Sequence, residues 1–136
     1  MYTNDRLAYR KIFFEVWEKH KKNLLLEHVE AQVQDVILTH PEYHNLLDNP
    51  KTFMTQEFTL EENPFFHMSL HIAVREQIQL DRPAGVKHAY QTLVKKMQSP
   101  DMAEHHMTTV LAQMMYQSQQ VGENPDEALY LKKLAE

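Results

Sequence analysis

The chain has 136 residues, 43% of them hydrophobic and 24% charged, a globular composition long enough for one core and too short for two. A formal net charge of −5 gives no general attraction to nucleic acid, and the lack of any cysteine excludes disulfides, thiolate ligands and a thiol nucleophile and suits a reducing cytoplasm. With only two glycines, Gly85 and Gly122, the chain is poor in the positive-φ residues that β-hairpins need, so a single all-α domain over 1–136 is expected, a compact bundle of about five to six helices.

The N-terminal Met1-Tyr2-Thr3-Asn4-Asp5-Arg6 lacks the basic-then-apolar pattern of a signal peptide, and no apolar run is long enough to span a bilayer; no membrane partner is expected and the cytoplasm is the natural location. Asn4 or Asp5 can cap a first helix running to about residue 22, with Leu7, Phe13, Trp17 and Leu24 at helical spacing. A second amphipathic helix over about 26–39 carries Leu26, Val29, Val33, Val36 and Ile37 on one face. Pro41 breaks it and can open a short new helix, so His40-Pro41-Glu42-Tyr43-His44 reads as a break followed by a turn of helix.

About 49–62 shows no helical period and is expected to be one long irregular segment, a candidate lid. Asn63-Pro64 then gives a strong start signal, an N-cap residue followed by proline at the first helical position. The helix it opens runs to about residue 80. Phe65, Met68 and Ile72 on one side and Phe66, Leu70, Ala73 and Val74 on another make its first turns apolar nearly all round, so it is predicted to be the central buried helix. A fourth helix is marked by Val86, Tyr90, Leu93 and Met97 and a fifth is opened by Asp101 with Met107, Leu111, Met114 and Ser118 on one face; a short terminal helix follows Pro125.

His67 and His71 lie one turn apart on the central helix, so both imidazoles project from one side and can grip one ion. Such a pair supplies half a tetrahedral site. The fifth helix offers a second i, i+4 pair, Asp101 and His105, with Glu104 and His106 beside them; two antiparallel helices each giving a pair could close a four-ligand site. The plainer reading is that the histidines hydrogen-bond protein groups and fix packing, while Asp101 and Glu104 cap their helix. His40 and His44 form a weaker third pair, their relative direction obscured by the Pro41 break. Neither a phosphate-binding glycine loop, a Gly-x-Ser-x-Gly elbow nor a His-Glu-x-x-His motif occurs, so common nucleotide enzymes, serine hydrolases and metalloproteases lack support.

The stretch Asn63-Pro64-Phe65-Phe66-His67-Met68-Ser69-Leu70-His71, continuing to Arg75-Glu76-Gln77 and Asp81-Arg82-Pro83, resembles a bacterial, mainly proteobacterial family known as domain of unknown function 1841. His40-Pro41-Glu42-Tyr43-His44, Glu104-His105 and Pro125-Asp126-Glu127-Ala128 are similar to it as well. The resemblance implies bacterial origin and a stand-alone domain, and names no substrate. The resemblance also implies a histidine in many relatives where this chain has Asp101, so an oxygen donor would replace a nitrogen donor there. The leading expectation is a divalent-metal-binding bundle, zinc or iron first, using His67, His71 and His105 with Asp101, and serving as a hydrolase or oxidoreductase if a coordination position stays open. The alternative is a metal-free structural or protein-interaction module, self-associating or bound to another protein, whose histidines are satisfied core residues.

Overall fold

A computed structural model describes residues 2–136, with side chains from residue 7 onward. Among these residues there are eight α-helices and no strand, and no helix is long and apolar enough to cross a membrane. They form two compact units, Met1–Met68 and Ser69–Glu136, the division falling inside the fifth helix.

In the first unit, α1 (Tyr2–Lys21) packs against α2 (His28–Leu38). α1 begins upstream of Asn4 and Asp5, whose side chains lie outside the described residues. It buries Phe13, Phe14, Val16 and Trp17, while α2 contributes Val33, Val36 and Ile37. The rings of Phe13 and Phe14 both meet Phe65 on α5 (Pro64–Leu80), with centroids at 5.8 and 5.6 Å. Two members of the expected apolar faces, Leu24 and Val29, are instead exposed. The reason is local: α1 stops at Lys21, Asn23 turns the chain at φ 54°, and α2 starts only after Glu27, whose N–H donates to the Glu30 carboxylate.

After α2 the chain makes a 3-10 turn (Pro41–Tyr43), a one-turn α3 (His44–Leu47), a one-turn α4 (Pro50–Phe53) and a second 3-10 turn (Leu60–Glu62). The segment expected to be irregular over 49–62 thus holds two short turns with an extended piece between them. Arg10, 2% exposed, pins this piece: its guanidinium donates to the backbone carbonyls of Met54 and Gln56 at 3.2 and 2.6 Å and lies over the Phe58 and Phe65 rings. Asn63 starts α5 as its sequence requires, its side-chain oxygen accepting from the N–H groups of Phe65 and Phe66.

The second unit combines the rest of α5 with α6 (Val86–Met97), α7 (Pro100–Val121) and α8 (Glu127–Ala135). Its core is Val74, Val86, Leu93, Ala103, Met107, Val110, Met114, Tyr130 and Leu134. Its helix ends are capped by side chains: the Asp81 carboxylate accepts from Gly85 and Lys87 ahead of α6, Asp126 accepts from Leu129 at the start of α8, and Ser99 caps α7 by accepting from Met102. The cap of α7 is therefore Ser99, the residue before Pro100, and not Asp101, which sits exposed in the first turn.

Candidate metal centre

α5 carries His67 and His71 one turn apart on a continuous helix. His67 is half-buried and His71 is 5% exposed. His40, the residue between α2 and the Pro41–Tyr43 turn, is buried, and its ring meets that of His67 edge to face at 5.2 Å. One ring nitrogen from each of His40, His67 and His71 lies within 4.8 Å of the others. A zinc ion with Zn–N bonds of about 2.0–2.1 Å needs its nitrogens about 3.3 Å apart, so the triad would have to close by no more than about 1.5 Å.

Hydrogen bonds at the back of two of these rings decide that Nδ1 carries a hydrogen. His40 Nδ1 lies 2.7 Å from the Val36 carbonyl, which can only accept, so Nδ1 bears a hydrogen. His71 Nδ1 lies 2.6 Å from Glu104 Oε2, and Arg75 Nε donates to the other carboxylate oxygen at 2.9 Å. Burial alone would push the Glu104 carboxyl up, yet the hydrogen bonds from His71 and Arg75 outweigh it and leave the group below its ordinary range. An ionised carboxylate also only accepts, so the hydrogen of this bond sits on His71 Nδ1. Metal-ligating histidines have this arrangement, the second nitrogen anchored to a carbonyl or carboxylate.

Tyr43 borders the cluster. Its ring lies parallel to that of His40 at 5.7 Å and edge-on to His67 at 6.2 Å, and burial, with the nearby Glu42 charge, raises its phenol pKa. The remaining sequence candidates take up different places. His105 is exposed on α7, its ring stacked beside His71 at 6.0 Å between centroids. Asp101 is exposed one turn before it. Glu104 stands behind His71 as a hydrogen-bond acceptor. His44 turns away from the cluster: its Nε2–H donates to the Ile37 carbonyl of α2 at 2.9 Å and its ring stacks on Trp17 of α1 at 4.3 Å.

Sequence reasoning ranked His40 behind the α7 residues because Pro41 hides the direction of its ring; the usable signal was its position four residues after Val36, from which a ring at a helix C-terminus can fold back on a carbonyl. The His71–Glu104 and Arg75–Glu104 pairs join residues 33 and 29 apart and left no local trace. Tyr43 was passed over although it stands inside the His-Pro-Glu-Tyr-His stretch.

The model of the family described as domain of unknown function (DUF1841) matches residues 5–136, and the chain belongs to that family. No curated protein and no solved structure matches it.

Proposed function

We propose that this member of the DUF1841 family binds one divalent metal ion, zinc or iron, through His40, His67 and His71. The observation that carries the reading is the approach of three imidazole nitrogens to within 4.8 Å of one another, with two of the rings oriented by protein acceptors at Nδ1. Three nitrogen donors suit zinc or iron better than the oxygen-seeking magnesium or calcium. They leave a fourth position for water or for His105, the nitrogen donor beside His71, with Asp101 as an oxygen donor in the same stretch of α7. With water in that position the centre would supply hydrolytic chemistry or, with iron, oxidation by dioxygen. The absence of cysteine accords with work in a reducing compartment such as the cytoplasm.

A rival reading draws on the same hydrogen bonds: His40 and His71 each already bond a protein group, as residues of a metal-free structural or protein-interaction module would. Elemental analysis of the untagged chain, followed by titration of the chelator-treated protein with zinc and cobalt(II), separates the two. The metal reading requires about one ion per chain, with uptake lost in His67→Ala, the least buried of the three. Purification without stoichiometric metal, together with no binding of added zinc, cobalt or ferrous iron, would overturn it.

A further inference from the structure

We propose that Glu104 is a positioning residue that holds His71 in the Nδ1–H tautomer and so sets, from the second turn of α7, how tightly the histidine triad binds its ion. The inference rests on the metal reading above. Both oxygens of the Glu104 carboxylate are engaged, Oε2 by His71 Nδ1 at 2.6 Å and Oε1 by Arg75 Nε at 2.9 Å, so the group is held at both ends and cannot turn away from the imidazole. The side chains of His71 and Glu104 are only 7% and 15% exposed and that of Arg75 is 32% exposed. Water therefore competes little for the inner bond, and the cation that anchors the carboxylate stands on the outer side.

An ion pair with a purely structural task would need only Arg75 and Glu104. The addition of His71 makes the carboxylate do something to an imidazole: it fixes which nitrogen is protonated, fixes the plane of the ring, and makes Nε2 a stronger donor. His40 has a neutral carbonyl in the same position, so the two rings are not equivalent. His71 is backed by a charge and His40 by a neutral dipole.

Glu104→Gln probes this directly because the amide has one acceptor oxygen for two donors. If that oxygen serves Arg75, the amide NH2 faces His71 Nδ1 and selects the opposite tautomer, with the hydrogen on Nε2. If it serves His71, the NH2 abuts the Arg75 Nε–H. Either way the fixed arrangement is lost with little change in volume.

Nitrogen-15 NMR of the imidazoles in the metal-free full-length chain reads the His71 tautomer, and zinc titration of the same sample reads affinity. The expected result is Nδ1–H at His71 in the wild type, a shift toward Nε2–H in Glu104→Gln, and zinc affinity lowered about 10–100-fold in that variant, with an unchanged helical circular-dichroism spectrum. A wild-type His71 protonated at Nε2 would overturn the inference while leaving metal uptake untouched, and needs no variant to detect. Equal zinc affinity in wild type and Glu104→Gln would also overturn it. A wild type that shows the Nδ1–H tautomer yet takes up no zinc, cobalt or iron would instead overturn the metal reading, and with it the affinity half of the inference.

Discussion

The two units hold themselves together differently. The second closes on an aliphatic and methionine core, Val74, Val86, Leu93, Met107, Met114 and Leu134 among it, and its backbone needs are met at helix ends by Asp81, Ser99 and Asp126, its His71–Glu104–Arg75 network joining side chain to side chain. The first sets the rings of Phe13, Phe14, Trp17 and Phe65 among Val33, Val36 and Ile37 and spends buried and half-buried side chains on backbone: Arg10 on the carbonyls of Met54 and Gln56, His40 on Val36, His44 on Ile37. Chain length between helices explains the contrast. Long helices satisfy their own backbone except at the ends, whereas the stretch between α2 and α5 is a series of single turns whose carbonyls need donors from elsewhere. The difference teaches where each half is fragile: the first at a few polar anchors, the second at its packed volume.

Arg10→Ala gives the strongest test, since it removes a buried guanidinium and leaves two carbonyls short of donors in the space it vacates. A loss of about 4 kcal/mol is expected in urea unfolding, with hydrogen exchange accelerated first between α4 and α5. A loss no larger than that of an exposed substitution would dissolve the contrast. Met107→Ala, at a fully buried position of the second core, should cost about 3 kcal/mol by leaving a cavity, with exchange rising across α6 and α7 and not in the single-turn region. Tyr130→Phe is the smallest change. It removes the hydrogen bond from the phenol to Gln77, expected to cost about 1 kcal/mol.

The same residue gives a pH signature. Burial pushes the Tyr130 phenol up to about 12, above the ordinary value of about 10. Its folded pKa is raised, so its contribution is complete below about pH 10 and is lost as the pH rises toward the folded value. Alkaline unfolding curves should therefore show stability falling through that window in the wild type, with a shallower fall in Tyr130→Phe. A slope unchanged by the substitution would show that the phenol is not what the second unit protects from ionisation.

Much of the fold was legible because proline marks where helices begin. Asn63-Pro64 starts α5 with the expected cap, and Pro41 breaks the chain where predicted. The same logic, carried through, would have named Ser99 ahead of Pro100 as the cap of α7, and Asn49-Pro50 as the start of α4. The latter escaped because one turn is too short to display a period. For the site, His67 and His71 were readable from spacing alone, since a helix makes i and i+4 neighbours. The acceptors behind the rings were not: Glu104 meets His71 only through tertiary folding, and its position near the start of a helix made capping the natural reading. His40 needed the backbone geometry around Pro41, which residue types do not encode.

The stack of Trp17 on His44 has a use beyond stability. The chain contains one tryptophan, and it lies in the first unit, its indole N–H donating to Asp48 at 2.7 Å and its face stacked on His44 at 4.3 Å. Its emission is thus a built-in optical label for that unit alone, sensitive to whether the stacked imidazole stays in place. Followed beside the far-ultraviolet signal of all the helices, it lets the order in which the two halves come apart be timed without attaching a dye.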